Sequence, residues 1–271
     1  MYGPSQPTTP EGIKLYAPED FEGMRAAGRL AAGILDRIAD HVVPDVTTEA
    51  LDDLIDADMR ANGARPATLG YRGYPKSSCI SVNHVVCHGI PGPKKLRDGD
   101  ILNIDVTVIL DGWYGDSSRM YVAGTPGRKA ERLIDVTHEA LMRGIAAVRP
   151  GNTFGDIGAA IQEYVEGQRC AVVRDFCGHG LGREFHEPPN VLHFGRRGGG
   201  ATLRPGMFFT IEPMVNLGRA ETKTLADGWT AVTRDKSLSA QFEHSLGITE
   251  DGVEVFTLSP AGRFHPTWRR A

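Results

Sequence analysis

The sequence predicts an α+β fold in which two similar halves share an antiparallel sheet, with helices outside and a cleft at the centre. Two observations lead there. Stretches of helical and strand periodicity run in the order helix, helix, strands, and then repeat that order. The repeat is also visible in the residues. L-R-D-G-D-I-L-N-I-D (Leu96–Asp105) returns as L-R-P-G-M-F-F-T-I-E (Leu203–Glu212), and V-P-D-V-T ending at Thr47 returns as V-R-P-G-N-T ending at Thr153.

The elements follow in order. Residues 1–12, with Pro4, Pro7 and Pro10 among polar residues, read as a loose tail. From Asp20 to Val42, Met24, Ala27, Ala31, Ile34, Leu35, Ile38 and Val42 keep helical spacing. A second helix starts at Thr47 or Thr48, carries Leu51, Leu54, Ile55 and Met59 on one face, and stops at Gly63. Cys79–Val82 and Val85–Cys87 flank Asn83-His84 as a short hairpin, and Ile101–Leu110 and Trp113–Ala123 flank Asp111-Gly112 as a stronger one. After Pro126-Gly127 come helices at Arg128–Val148 and Phe154–Gln168, the latter capped by Thr153 with Asp156. Strands are expected at Cys170–Phe176, Met207–Val215, Thr230–Thr233, Gln241–Ile248 and Val253–Leu258, and a tail at 259–271. The two pseudo-repeats span about 13–123 and 127–258.

Composition excludes several classes. Thirty basic and 34 acidic side chains leave a net charge of −4, with no general attraction to DNA or an anionic membrane. At 41% hydrophobic and 24% charged residues, the chain is composed like a globular protein and not a disordered one. No apolar run reaches the roughly 18 residues of a membrane span, and the first ten residues lack the pattern of a signal peptide. Cys79, Cys87, Cys170 and Cys177 form no C-x-x-C pair, which suits a reducing cytoplasm.

Asp105, inside I-L-N-I-D-V-T-V-I-L, is the informative anomaly, because a carboxylate in so apolar a strand is costly to bury unpaired. Glu212 in M-F-F-T-I-E-P-M-V repeats it, and Glu243 in S-A-Q-F-E-H-S-L-G-I does so more weakly. A single such acid is explained by solvent or an arginine; three, two of them related by the repeat, ask for more. A two-residue turn at Asp111-Gly112 would pair Thr107 with Asp116 and Asp105 with Ser118. Asp105 and Asp116 would then be diagonal neighbours on one sheet face, about 7–8 Å apart at the backbone. Two carboxylates converging there repel unless one protonates or a cation sits between them.

Histidines supply the rest. His179 in G-H-G-L-G, His186 seven residues on and His88 in C-H-G-I-P are glycine- or turn-flanked beside the acids. His41, His138, His193 and His265 lack such a context and read as surface or packing residues; His84 and His244 receive no role. Asp105, Asp116, Glu212 and Glu243 balance two divalent cations, with neutral His179 as a fifth ligand. An oxygen-rich, sulfur-free set suits Mn, Fe or Co about as well as Zn, and paired metals are a known device for hydrolysis.

Five separated motifs carry a family resemblance: Y-R-G-Y-P-K-S-S-C-I-S-V-N-H-V-V-C-H-G-I-P (Tyr71–Pro91), N-I-D-V-T-V-I-L-D-G-W-Y-G-D-S-S-R-M (Asn103–Met120), G-H-G-L-G-R-E-F-H-E-P-P (Gly178–Pro189), F-T-I-E-P (Phe209–Pro213) and S-L-S-A-Q-F-E-H (Ser237–His244). In this order, from about Ile13 to Leu258, the chain resembles a type I methionine aminopeptidase. The resemblance implies the pita-bread fold and a dinuclear site, with Asp105 and Asp116 on one metal, Asp116 and Glu243 bridging, and His179 and Glu212 on the other. It implies that Glu212 handles the proton in hydrolysis, while His88 and His186 bind the peptide and the developing tetrahedral oxygen. It further implies a methionine pocket of Tyr71, Tyr74, Cys79, Phe185 and Trp229, and a sodium or potassium site at the carbonyls of Asn83, Val85 and Ser239.

The 31 residues between Glu212 and Glu243 leave no room for the helical insertion of type II members, and the N-terminal tail has no cysteine for a zinc finger. Thr68 departs from the cysteine that many bacterial members carry at the pocket rim. Two alternatives remain open at this stage: an Xaa-Pro aminopeptidase or prolidase, which shares fold and ligands but usually has a preceding domain, and a binding protein on a dead scaffold, which would have lost ligands. The resemblance implies N-terminal methionine peptides of nascent proteins as substrates and a ribosome as partner. Arg219, Lys223, Arg234 and Lys236 cluster near one expected hairpin, but Glu221, Asp227 and Asp235 lie among them, as in a solvated mixed-charge loop.

Overall fold

The structure, a computed structural model, describes residues 7–263. Helices α1 (Asp20–Ile38) and α3 (Arg128–Ala146) have 19 residues each, and α2 (Thr48–Ala61) and α4 (Phe154–Gly167) have 14 each. The repeat is thus one of whole helix pairs. Both second helices are capped by threonine: the Thr47 hydroxyl accepts from Ala50 N at 3.1 Å, and Thr153 with Asp156 forms a capping box. Behind each cap the chain bonds to the segment leading into a central strand, Leu96 N–H to Val46 O at 2.8 Å and Leu203 N–H to Asn152 O at 2.7 Å. The sequence repeat is the pairing of a helix cap with the entry to a strand.

Asp100–Leu110 and Trp113–Ala123 form the expected hairpin, in register from Leu110↔Trp113 to Asp100↔Ala123. Asp111 (φ 50°) and Gly112 (φ 78°) both take the left-handed backbone that such a two-residue turn requires. Side chains alternate along the first strand. Leu102, Ile104, Val106 and Val108 pack with Met24, Leu35, Leu51 and Ile55 of α1 and α2 in one core, which leaves Asn103, Asp105 and Thr107 on the other face. A second core joins Leu133, Ile134, Leu141, Ile157 and Ile161 of α3 and α4 to Phe209, Ile211 and Leu246. Phe208 belongs to the first core and Phe209 to the second, so the central strand links the halves.

Several expected strands break, and the breaks shape the site. Met207–Val215 is two strands, Phe208–Ile211 and Met214–Asn216, parted at Glu212-Pro213, where proline has no N–H to continue a ladder. Gln241–Ile248 likewise divides into Ser239–Gln241 and His244–Ile248 around Phe242-Glu243. The breaks lie side by side, because His244 pairs with Ile211 in one sheet and Met214 with Gln241 in another.

Cys79–Val82 and Val85–Cys87 do not form the expected hairpin. The first pairs with Asp100–Leu110 and the second with Ala231–Thr233. Asn83, at φ 58°, turns the chain away, its amide bonded to Asp100 Oδ1 (2.7 Å) and Ile101 N (3.1 Å). Within Cys170–Phe176 only Ala171–Val172 is strand, and within Val253–Leu258 only Val253–Val255. The short strands Arg65–Pro66, Gly178–Gly180, Glu187–Val191 and Thr222–Thr224 had no periodicity long enough to announce them.

The described parts of both expected tails are held in place. Leu15 N–H donates to Pro7 O (2.8 Å) and Thr9 is buried. At the other end the Ser259 hydroxyl meets Asp36, and Arg263 Nη1 donates to Asp36 O (3.1 Å). Asp36 also pairs with Arg119 at 2.6 Å, both side chains less than a tenth exposed. Breaking a buried pair strands the remaining charge, so Arg119→Met is expected to lower stability by about 3–5 kcal/mol. Urea unfolding of the metal-free protein checks it; a midpoint equal to wild type would mean that the pair is not buried. Among the described residues no helix is long and apolar enough to cross a membrane.

Candidate metal centre and substrate cavity

Asp105, Asp116, Glu212, Glu243, His88, His179 and His186 all line one cavity of about 590 Å³. The hairpin register puts Thr107 opposite Asp116 and Asp105 opposite Ser118, so the two aspartates are diagonal neighbours. The Thr107 hydroxyl donates to Asp116 Oδ1 at 2.7 Å, and Oδ2 lies 3.6 Å from His179 Nε2. The same nitrogen is 3.7 Å from Glu212 Oε1. His179 Nδ1 is 3.1 Å from Gly180 O; the tautomer that donates there leaves Nε2 free as a ligand. Glu243 enters at its strand break, its N–H donating to Ser118 O at 3.0 Å and its carbonyl accepting from the Ser117 hydroxyl at 2.8 Å. Ligand atoms of Asp116, His179 and Glu243 lie within 4.8 Å of one another.

So many buried acids repel. Burial, reinforced by the charges of Asp116 and Glu212, pushes the carboxyl groups of Asp105 and Glu243 well above the usual range. Burial pushes Glu212 up to about 7 against the pull of His179. Burial alone would depress His179, but Asp116 and Glu212 lift it above its ordinary value. Asp105 Oδ1 is buried with no hydrogen-bond partner among the described residues. An orphaned oxygen within a cluster of hard donors and one imidazole fits a divalent cation.

Aromatic rings build the other wall. Tyr74 meets Trp229 edge-on at 5.1 Å, and Tyr71 leans on Phe185 at 4.8 Å and stacks on His186 at 5.2 Å. Cys79 lies opposite Asp105 in the sheet, its thiol pushed up by burial and so not a ready ligand. Thr68 lines the rim, its hydroxyl donating to Lys76 O at 3.1 Å. His88 lies edge-on to Phe176 (5.5 Å) and Trp229 (6.1 Å). Burial lowers the pKa of His88, and burial with the nearby His179 lowers that of His186 to about 4, so both are neutral at pH 7. Asn83 and Ser239, two of the three carbonyl donors implied for a monovalent cation, are neighbours: Ser239 N–H donates to Asn83 O at 2.9 Å.

Sequence reasoning missed the residues that hold the acids. Thr210 Oγ1 donates to Glu212 Oε1 at 2.8 Å, and Gln241 Nε2 donates to Glu212 Oε2 at 3.2 Å. His193 is fully buried and packs as expected, and it also holds Glu212 in place, because its Nε2 accepts the Glu212 N–H at 3.1 Å. A signal existed. Thr107, Thr210 and Gln241 each stand two residues from a carboxylate, the spacing that shares a strand face. His41 is exposed, His138 packs on Phe242, and His244 Nδ1 meets the Thr257 hydroxyl at 2.8 Å. His265 lies outside the described residues.

Residues 22–250 match metallopeptidase family M24. The methionine aminopeptidase of Rickettsia prowazekii (strain Madrid E) is 58% identical over 257 residues, covering 94% of this chain and 99% of that protein. That of Escherichia coli (strain K12) is 53% identical over 248 residues, covering 91% and 94%. The crystal structure of methionine aminopeptidase from Rickettsia prowazekii superposes with a TM-score of 0.90 at 59% identity, over 91% of this chain and all of that one. The chain therefore belongs to the methionine aminopeptidases of metallopeptidase family M24 and has their pita-bread fold.

Proposed function

We propose that this chain removes the N-terminal methionine of peptides and nascent proteins by metal-dependent hydrolysis, using a pair of divalent cations held by Asp105, Asp116, His179, Glu212 and Glu243. The observation that carries this reading is the meeting of four acids and one imidazole, with an unpartnered Asp105 oxygen, beside an aromatic slot. Four carboxylates neutralise two divalent cations, and Mn, Fe, Co and Zn all suit the donors. Such a centre supplies Lewis acidity to the scissile carbonyl and lowers the pKa of water.

The chain's own residues do the rest. Tyr71, Tyr74, Cys79, Phe185 and Trp229 enclose the methionine side chain. Neutral His88 and His186 each offer one N–H, one to the peptide and one to the oxygen on which charge develops. Glu212 takes a proton from the attacking water on a carboxylate oxygen and returns it to the leaving amine, held by Thr210 and Gln241. A sodium or potassium ion at Asn83, Val85 and Ser239 would brace the turn beside the cavity. The cytoplasm is the setting, where nascent chains are found and the four free thiols stay reduced. Nascent substrates bring the enzyme to the ribosome; in the 219–236 hairpin, acids lie among the bases, Asp235 Oδ2 accepting the backbone N–H of Arg219 at 2.8 Å.

Substrate choice tests this reading. With Mn, Fe, Co or Zn supplied, methionine should be released from Met-Ala-Ser, Met-Gly and Met-Ser peptides and hardly at all from Met-Lys or Met-Phe. Norleucine should be cleaved moderately and leucine poorly, since an apolar pocket discriminates a methylene by about 1–3 kcal/mol. A formylated methionine should resist, and chelation should abolish turnover. Cleavage of an Xaa-Pro dipeptide in preference to Met-Ala-Ser, or ready cleavage of the formylated peptide, refutes the assignment.

A further inference from the structure

The loop that carries Phe185 and His186 to the cavity runs from Arg183 to the strand that starts at Glu187. Both ends close on one phenol: Tyr16 Oη donates to Glu187 Oε1 at 2.7 Å and accepts the Arg183 N–H at 3.3 Å. Lys14 Nζ pairs with the other oxygen of buried Glu187 and reaches Glu184 Oε1 at 3.3 Å. Tyr16 is itself fixed, its ring stacked on Phe208 at 4.4 Å and its N–H donating to Gly206 O at 2.7 Å. A Cβ at position 182 would lie 2.1 Å from Tyr16 Oη, so this approach requires Gly182. Beyond the loop, Arg183 Nη1 donates to Asp111 O at 2.8 Å.

The two site residues on this loop are held differently. Phe185 lies between the rings of Tyr71 (4.8 Å) and Tyr114 (5.7 Å). The His186 ring touches Tyr71, His179 and Phe185, and its imidazole has no hydrogen-bond partner among the described residues. Its aim therefore depends on the backbone, which is anchored at the next residue by Glu187.

We propose that Tyr16, Lys14 and Glu187 form a latch between the N-terminal segment and the 183–187 loop, and that they are positioning residues for the reaction because they set the direction of His186. The kinetic half of this inference rests on the role assigned to His186 above; the latch itself does not. Tyr16→Phe removes only the hydroxyl and keeps the stack on Phe208, so the fold is retained.

The test has two arms. Amide hydrogen exchange on Tyr16→Phe should accelerate at residues 183–187 and stay unchanged in α1 to α4. Its kcat on Met-Ala-Ser should fall about 10-fold, the scale of a small misplacement of a reacting group, with KM little changed because Phe185 is held separately. Added to His186→Ala the same substitution should cost less than about 2-fold, whereas added to His88→Ala it should keep its full effect. Unchanged exchange at 183–187 overturns the latch, whatever the kinetics. Faster exchange with equal losses in both backgrounds overturns the coupling to His186. Faster exchange in a protein that releases no methionine would leave the latch standing and refute the functional reading.

Discussion

Asp116→Ala is expected to bind metal poorly and to lose more than about 100-fold in turnover. Partners that merely orient a ligand already cost about 10–100-fold when removed, and Asp116 is itself placed to be a ligand. Its Oδ2 is 3.6 Å from His179 Nε2, and its ligand atoms share a 4.8 Å cluster with those of His179 and Glu243. Glu243→Ala should behave alike, and Thr107→Ala should show the smaller loss of an orienting partner.

A second measurement separates ligand loss from misfolding. Without metal the buried acids repel, so Asp116→Asn, which keeps the shape and relieves one charge, should unfold at or above the wild-type temperature when both are metal-free. Added metal should then raise the wild-type Tm and leave that of the variant nearly unmoved, because only a protein that binds the cation is stabilised by it. Full activity of Asp116→Ala or Glu243→Ala at normal metal content would end the dinuclear reading.

What the sequence revealed and what it hid have the same physical origin. The four helices, the Asp111-Gly112 hairpin and its register were legible because they depend on local periodicity and turn chemistry. The repeat was legible because similar residues recur where each half joins a capped helix to the entry of a strand; the bonds themselves, Leu96 to Val46 and Leu203 to Asn152, are not local and were seen only in the structure. The breaks at Glu212-Pro213 and Phe242-Glu243 were not, although Pro213 was in view, because apolar residues continue through both and only tertiary pairing decides which sheet each side joins.

The same limit applies to Asn83. Its flanking strands alternate like a hairpin, yet they pair with residues far along the chain. At the site, Asp105 and its companions stood out because charge in an apolar strand is costly. Thr210, Gln241 and His193 did not, since neutral polar residues in strands are common; a two-residue spacing from an acid was the mark that Thr210 and Gln241 carried, and it does not say which carboxylate each one meets. The latch at Tyr16 was invisible for a stronger reason: its partner Glu187 is 171 residues away.

The three histidines are expected to separate cleanly when each is replaced by alanine. His179 has Nε2 within 3.7 Å of carboxylate oxygens of both Asp116 and Glu212, and it is the only nitrogen in the cluster, so His179→Ala should lose metal. His88 and His186 line the same cavity but are packed among rings, His88 against Phe176 and Trp229 and His186 against Tyr71 and Phe185. Such surroundings hold an imidazole neutral, the state in which it can offer an N–H to charge only as it develops. His88→Ala and His186→Ala should therefore keep near-normal metal and lose roughly 10²–10³-fold in kcat, the scale of one transition-state hydrogen bond. For the histidine that meets the developing oxygen, the loss should fall on kcat more than on KM, because the ground-state carbonyl carries little of the charge that donor stabilises. Metal analysis beside steady-state kinetics on Met-Ala-Ser decides the matter: metal loss in His88→Ala would place His88 among the ligands, and an unchanged kcat in both variants would remove them from the chemistry.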